Sequence, residues 1–343
     1  MSNADGPSSD ASARPRVVFL GMPCAFSAPP LAALVAAGMD VAAVVLPGPP
    51  GEVAFRWHRP PGRTRPGIAL TSTAGAAGGP SLMGIAATAG MPLLFVASIR
   101  SAAVVAEIAR LRPDAIAVAC FPGRLPAALL RLSPLGALNL HPSLLPRDRG
   151  PSPLFWAFHR GADETGVTVH LMEETLDAGP ILRQRAVAIP EGIQLADLEL
   201  DLARLGGALL AEAIRARAEG DLAETAQDAA LATSASFPTA SDAVIDPATW
   251  SARRALRFVR GVRSATVRLP NGDLVPVEDA SWWEPATGPQ TPTTDAENAL
   301  VAAFADGQIA FRLARRDRTG RPPALTEDTA LCHNAPSPTR GRW

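Results

Sequence analysis

The sequence predicts an α/β fold with a parallel sheet, followed by a smaller β domain. Residues 16–20 form an apolar, β-branched run, residues 29–38 have helical composition, and residues 41–46 form a second apolar run. A strand, a helix and a strand within about 30 residues make a βαβ unit, which implies a parallel, Rossmann-like sheet. Beyond residue 262 the chain turns to short strand-like runs, with Asn271-Gly272 as a hairpin signal.

The alternation of helix and strand patterns continues through the first two thirds of the chain. Residues 81–90 and 102–111 have helical patterns, and residues 92–95 and 115–121 are apolar runs typical of buried strands. Residues 197–218 carry leucines at helical spacing and should form the last helix of the first domain. We interpret residues 47–79, rich in Pro, Gly and Arg, as a long surface loop.

These patterns predict two domains, which also fits a length of 343 residues. The expected divisions are a polar tail at 1–14, a catalytic domain at 15–221, a linker at 222–240, a C-terminal β domain at 241–320 and a second tail at 321–343.

Composition narrows the class of protein. The formal net charge is -1, so no overall field attracts nucleic acid, and all 32 basic residues are Arg. Cys24, Cys120 and Cys332 are scattered and have no metal-ligand spacing. Residues 1–14 lack an apolar signal core, and no run reaches the roughly 18 apolar residues of a membrane span. We therefore expect a cytoplasmic protein without a metal.

The stretch 138–181 carries the chemistry. If Asn139 and His141 lie on one strand, their side chains point to the same face, because side chains alternate along a strand. A second strand-like run at 167–172 is followed by Asp177. An amide donor, a titrating ring and a carboxylate are the parts of a polar acyl-transfer site that has no covalent nucleophile.

The spacing within this stretch resembles the signature of the folate-dependent formyltransferases. The matching positions are Asn139-x-His141-x-Ser143-Leu144-Leu145-Pro146, Arg149-Gly150, Gly166-Val167-Thr168 and Asp177-x-Gly179-x-Ile181. The resemblance implies a Rossmann-like formyltransferase domain followed by a small OB-like β-barrel. It also implies transfer of a formyl group from 10-formyltetrahydrofolate to an amine, with no metal.

The same resemblance assigns roles to the residues. Asn139 and His141 would stabilise the oxyanion of a tetrahedral intermediate as hydrogen-bond donors, and Asp177 would favour a protonated His141. Asp177 could also take the amine proton through a water. Ser143 would order the loop or polarise His141, whereas we expect a packing or structural role for His170 and not a catalytic one.

The formyl donor should bind at the loop after the fourth strand and at the loop after Asn139. The residues expected to contact it are Phe121, Gly123, Arg124, Leu125, Ser143, Leu144, Leu145, Pro146 and Thr175.

Three features resemble the branch of the family that formylates initiator methionyl-tRNA. They are the opening Gly21-x-Pro23, the loop string from Arg59 to Arg63, and a second domain of suitable size. Candidate tRNA contacts are Arg59, Arg63, Arg253, Arg257 and Arg260, the last three on one helix face.

Other functions are also compatible with the sequence. The Arg-rich segments could be ordinary solvated surface without a role in binding tRNA. A formyltransferase for a small amine, such as an amino sugar or a secondary metabolite, and a formyltetrahydrofolate hydrolase are the alternatives. A non-catalytic binder has no need of the Asn–His–Asp set. We expect a monomer.

Overall fold

An eight-stranded sheet forms the first part of the protein. The computed structural model describes residues 14–49, 53–59, 81–285, 293–294 and 299–314. The strands of this sheet are β1 (Arg16–Gly21), β2 (Asp40–Pro47), β3 (Phe55–His58), β4 (Leu93–Val96), β5 (Ala115–Ala119), β6 (Ala137–His141), β7 (Glu164–Leu171) and β8 (Ile181–Ala188). Their order across the sheet is β3-β4-β2-β1-β5-β6-β7-β8.

The centre of the sheet is parallel and its edges are antiparallel. Strands β4, β2, β1, β5 and β6 run parallel, while β3, β7 and β8 pair antiparallel with their neighbours. The parallel core confirms the prediction from the βαβ pattern. Two edge strands were missed: β3 lies inside the predicted loop, and β8 contains the polar run Arg183–Arg185. Half-exposed edge strands lack the apolar run that marks a buried strand.

Helices cover both faces of this sheet. They are α1 (Ala28–Ala36), α2 (Leu82–Thr88), α3 (Ala102–Arg110), α4 (Ala127–Leu130), α5 (Pro153–His159) and α6 (Leu195–Ala218). Side chains alternate along β1, so Val17 and Phe19 join the core on the α1 and α6 face, and Val18 and Leu20 join the core beside α3. No helix within the described residues is long and apolar enough to cross a membrane.

A smaller, six-stranded sheet follows. It comprises β9 (Val244–Ile245), β10 (Ala265–Arg268), β11 (Leu274–Pro285), β12 (Thr293–Thr294), β13 (Ala299–Phe304) and β14 (Gly307–Leu313), in the order β12-β13-β14-β11-β10-β9. The turn between β10 and β11 contains Gly272 at φ +88°, as the Asn-Gly signal predicts. The C-terminal β domain is thus present, whereas its exact limits and the closure of a barrel stay predictions.

Helix α7 (Ala252–Val262) joins the two parts by packing against α5. The rings of Phe155 and Phe258 meet edge to face at 5.6 Å. A side chain at Gly261 would meet the ring of Phe158 at 2.3 Å, so only glycine permits this approach. The apolar core therefore continues from the large sheet to the small one.

Close packing between α1 and α6 gives a test of the fold. We expect Gly207→Val to destabilise the protein by about 1–3 kcal/mol through overpacking, because a Cβ at Gly207 would lie 2.9 Å from Cα of Pro30. The neighbouring Ala208→Val is the control, since Ala208 is exposed on the same helix and should lose less than about 1 kcal/mol of helix propensity. Equal losses in urea unfolding of both variants would contradict this packing.

Candidate active site

Strand pairing brings Asn139 opposite His170. The two residues are register partners in β6 and β7, and Nδ2 of Asn139 lies 3.1 Å from Nε2 of His170. Nδ1 of His170 donates to the carbonyl oxygen of Leu171 at 2.8 Å, and Nε2 faces both the Asn139 amide and the Asp177 carboxylate. His170 therefore orients Asn139, which is a structural role. The particular contact depends on the antiparallel pairing of the two strands, which the sequence analysis did not predict.

Asp177 lies between two imidazole rings. Its Oδ2 accepts the Gly150 N–H at 2.8 Å and lies 3.7 Å from Nδ1 of His141, while its Oδ1 lies 3.6 Å from Nε2 of His170. Burial by itself raises the pKa of Asp177, but the charge of His141, the hydrogen bond and charge of His170, and the Gly150 amide lower it to about 2. Asp177 is therefore ionised at neutral pH, although it is only 8% exposed.

The orientation of His141 is fixed by the backbone. Its Nε2 donates to the carbonyl oxygen of Asp148 at 2.8 Å, and the residue is 4% exposed. A carbonyl oxygen only accepts, so Nε2 carries a hydrogen and Nδ1 is the nitrogen that faces Asp177. His141 and Asn139 thus come to the same carboxylate-centred cluster, as the strand alternation predicts.

The loop after β6 is anchored at Asp148, which has φ +59° and is buried. Its carboxylate accepts two hydrogen bonds from Arg160, at 2.6 and 2.7 Å, and its N–H donates to Oγ1 of Thr233 at 2.8 Å. Ser143 donates its hydroxyl hydrogen to the Arg147 carbonyl oxygen at 2.8 Å. Through this bond the Ser143 side chain orders the loop, whereas polarisation of His141 by Ser143 stays a prediction.

The residues Gly166-Val167-Thr168, which match the family signature, hold the loop after β6 in place. The Thr168 hydroxyl donates to the Ser143 carbonyl at 2.6 Å and accepts from the Leu145 N–H at 3.2 Å. A Cβ at Gly166 would lie 2.5 Å from Cδ2 of Leu144. Strand β7 therefore holds the loop after β6 by side-chain hydrogen bonds and by close contact.

A residue that the sequence analysis missed, Gln227, holds the turn of Asp177. Its Nε2 donates to the carbonyl oxygens of Asp177 at 2.8 Å and Gly179 at 2.7 Å, and its Oε1 accepts from Nη2 of Arg149 at 2.7 Å. Asp177 has φ +50°, a conformation that non-glycine residues rarely adopt and that needs such support. Nothing in the composition of residues 222–240, taken as a linker, indicates this contact.

A pocket of about 450 Å³ opens beside the cluster. Its lining residues are Arg124, Arg149, Glu174, Thr175, Leu176, Ala232, Thr233 and Ser234. Two residues expected to contact the donor, Arg124 and Thr175, are among them. Ser143 and Leu145 belong to the loop after β6 and are buried. The donor contacts of all the residues named for this role stay predictions. Within the described residues no group of His, Cys, Asp or Glu could hold a metal ion.

The arginines expected to contact tRNA have different environments. Arg59 follows β3 and is exposed, whereas Arg63 lies outside the described residues. The Arg257 side chain is 7% exposed, pairs with Asp163 at 2.6 Å and donates to the Ala162 carbonyl at 2.5 Å. The prediction that Arg257 contacts tRNA is therefore wrong, because the packing of α7 on α5 buries its guanidinium group.

The two other arginines of α7 are also engaged with the protein. Arg260 donates to the Ala280 carbonyl at 3.3 Å, through Nη2. Arg253 pairs with Asp163 at 3.1 Å, but its side chain is 60% exposed and can still reach solvent. The three arginines on this face of α7 thus mainly contact the two parts of the protein, at Asp163 before β7 and at Ala280 on β11.

Comparison with known proteins gives consistent matches. Residues 84–214 match the formyl transferase family. A methionyl-tRNA formyltransferase of Roseiflexus sp. (strain RS-1) is 37% identical over 249 residues, 73% of this chain and 70% of that protein. The methionyl-tRNA formyltransferase of Bordetella pertussis is 37% identical over 317 residues, 89% of this chain and 95% of that protein.

A solved structure shares the fold. The N-formyltransferase from Helicobacter canadensis, in complex with folinic acid and dTDP-3-aminofucose, superposes with a TM-score of 0.59 at 13% identity. The match covers 88% of this chain and 99% of that one. At this identity the likeness concerns the fold alone.

Gln227 provides a test of the site architecture. Gln227→Leu removes both donors to the Asp177 turn and leaves Arg149 without its side-chain acceptor. We expect a loss of about 1–3 kcal/mol in unfolding free energy, typical of buried groups left unpaired. Gln194→Leu, at an exposed position before α6, is the control and should change stability by less than about 0.5 kcal/mol. If Gln227→Leu unfolds at the wild-type urea concentration, Gln227 does not hold the turn.

Proposed function

The chain belongs to the formyltransferase family, and we propose that it transfers the formyl group of 10-formyltetrahydrofolate to the amino group of initiator methionyl-tRNA. The observation that carries this proposal is the ionised Asp177, held between His141 and His170 beside the amide of Asn139. These are the groups that acyl transfer to an amine requires when the enzyme has no covalent nucleophile.

Asn139 acts on the oxygen of the formyl group. Its Nδ2 lies 3.1 Å from Nε2 of His170, and this contact orients the amide. As the amine nitrogen bonds to the formyl carbon, the carbonyl electron pair moves to oxygen, and an N–H of Asn139 stabilises the developing charge. Loss of one such donor typically costs about 2.7–4 kcal/mol of transition-state stabilisation.

Asp177 and His141 act on positive charge and on protons. The attacking amine becomes cationic as the new C–N bond forms, and it must lose a proton before the bond to the folate nitrogen breaks. A carboxylate with a pKa of about 2 is a weak base, so Asp177 acts chiefly by stabilising positive charge on the amine and on His141. The proton that the amine loses passes through a water to the folate nitrogen as that nitrogen leaves, which balances the reaction.

The identity of the acceptor rests on the relatives. The Bordetella pertussis enzyme, a methionyl-tRNA formyltransferase, matches over 95% of its length, including the region of the small sheet. The small-amine and hydrolase alternatives have less support from these relatives. A cytoplasmic location follows from a role in translation initiation, and the monomeric state stays a prediction.

A formyl-transfer assay tests the proposal. Purified protein is given 10-formyltetrahydrofolate with initiator methionyl-tRNA, with a pool of small amino compounds, or with no acceptor. We expect rapid formylation of the tRNA alone. Asp177→Asn should lower turnover by about 10²–10³-fold, as typical for lost transition-state electrostatics.

The control for Asp177→Asn is Asp201→Asn, an exposed carboxylate on α6 that pairs only with Arg204 among the described residues. It should retain wild-type turnover. Formylation of small amines in preference to tRNA, or formate release without an acceptor, would overturn the acceptor assignment. Full activity of Asp177→Asn would overturn the assigned mechanism.

A further inference from the structure

The imidazole of His141 is held by a single hydrogen bond. Among the described residues, its one ring contact of hydrogen-bond length is the 2.8 Å bond from Nε2 to the carbonyl oxygen of Asp148. Its other nitrogen, Nδ1, lies 3.7 Å from Oδ2 of Asp177, which is longer than a hydrogen bond. The position of the Asp148 carbonyl oxygen therefore decides which nitrogen of His141 faces the Asp177 carboxylate, since the partner of one ring nitrogen fixes the tautomer.

The backbone of Asp148 has a conformation that needs support. Its φ is +59°, a value that residues with a side chain rarely adopt. The N–H of Asp148 donates to Oγ1 of Thr233 at 2.8 Å, and the same hydroxyl lies 3.4 Å from the Asp148 carboxylate. The segment that joins the two sheets thus holds the turn from which the carbonyl of Asp148 points to His141.

Arg160 holds the same turn through the side chain of Asp148. Its two terminal nitrogens donate to the two carboxylate oxygens, at 2.6 and 2.7 Å, as a bidentate pair. The Asp148 side chain is 5% exposed, whereas that of Arg160 is 43% exposed. Arg160 directly follows α5 and caps its C-terminus. The pair therefore fastens the loop after β6 to the end of a helix.

These contacts run without interruption from a half-exposed guanidinium to a buried ring. Arg160 binds the side chain of Asp148, and the main chain of Asp148 binds His141. A bidentate pair fixes the orientation of both groups, and a carboxylate as buried as this one requires its cation, because removal of one partner leaves an unpaired buried charge. The pair is thus suited to control the direction of the Asp148 carbonyl.

We propose that Asp148 is a positioning residue for formyl transfer, and that its pair with Arg160 keeps its carbonyl oxygen on Nε2 of His141 so that Nδ1 stays directed at Asp177. This inference rests on the proposed function, in which His141 and Asp177 act on the charge of the attacking amine. Neither Asp148 nor Arg160 touches a reacting atom. Loss of the pair releases the carbonyl, and the ring of His141 is then free to rotate or to change tautomer.

Three variants remove the pair in different ways. Arg160→Gln removes the guanidinium, Asp148→Gly removes the carboxylate but adopts a positive φ freely, and Asp148→Asn keeps the shape without the charge. In Arg160→Gln and Asp148→Gly, kcat should fall about 10–100-fold while KM for donor and acceptor stays within about twofold, because a small misplacement of a reacting group costs up to about 10²-fold. Asp148→Asn keeps an acceptor oxygen and should lose less than Asp148→Gly.

Arg183→Gln is the matched control. Arg183 pairs with Glu212 at 2.8 Å, and its side chain is 31% exposed. Its loss removes a comparable arginine–carboxylate pair that does not involve the loop after β6, so kcat should stay at the wild-type value. The double variant Arg160→Gln/Asp148→Asn should be no slower than the slower of its two single variants, since both changes act through one pair.

The ring of His141 provides a readout that a purely structural role would not move. ¹⁵N NMR of labelled histidine shows which ring nitrogen carries a hydrogen, and His141→Asn identifies the signals. In wild type and Arg183→Gln, the hydrogen should lie on Nε2 and exchange slowly with water, because the residue is 4% exposed and this hydrogen is bonded. In Arg160→Gln and Asp148→Gly, this slow exchange should be lost, while thermal unfolding shows that the variants are folded.

Two outcomes would overturn the assignment. If the folded variants keep wild-type kcat, the pair only stabilises the fold. If kcat falls but the Nε2 hydrogen of His141 stays protected, the effect does not pass through His141. Failure of the proposed function is distinguishable, because a wild type that transfers no formyl group to tRNA contradicts that function, whereas the NMR comparison still decides whether Asp148 and Arg160 hold His141.

Discussion

The site depends on one buried anion, the carboxylate of Asp177. An ionised carboxylate is costly to bury unless hydrogen bonds and opposite charges compensate for lost hydration. Here the compensation comes from the Gly150 N–H and from the rings of His141 and His170. The surrounding motif serves this arrangement, because the loop after β6 supplies Gly150, and strands β6 and β7 supply the two histidines.

The same requirement explains two glycines of the motif. Gly150 has φ +126°, and a Cβ there would lie 2.7 Å from the Ala235 carbonyl oxygen. A Cβ at Gly179 would lie 2.0 Å from the Leu171 carbonyl oxygen. Glycine at both positions lets backbone from other segments approach the turn that presents Asp177.

The sequence predicts much of this architecture, and the failures have physical causes. Strand alternation places Asn139 with His141, and the apolar runs give the parallel strands. The sequence analysis missed edge strand β8 because several of its residues are polar. The contact of His170 with Asn139 and the role of Gln227 were not predicted because they arise from tertiary contacts, across an antiparallel strand pair and from a distant segment. Arg257 was wrongly expected to be exposed, because the sequence of a helix does not show whether another part of the protein buries a charged side chain.

Residues 222–240, which connect the two sheets, also contribute to the site. Gln227 supports the Asp177 turn, and Thr233 binds Asp148 on the other side of the cluster. Residues 222–240 therefore complete the site that the first sheet begins.

The central claim, an Asp177 carboxylate stabilised by its neighbours, can be measured by ¹³C NMR of the side-chain carboxyl group during a pH titration. Asp177→Asn identifies the signal. Because the pKa of Asp177 is lowered from 3.8 to about 2, the signal should stay at its ionised position as the pH falls from 7 to about 3. A titration midpoint at or above the ordinary value of about 3.8 would show that His141, His170 and Gly150 do not stabilise the anion, and would contradict this account.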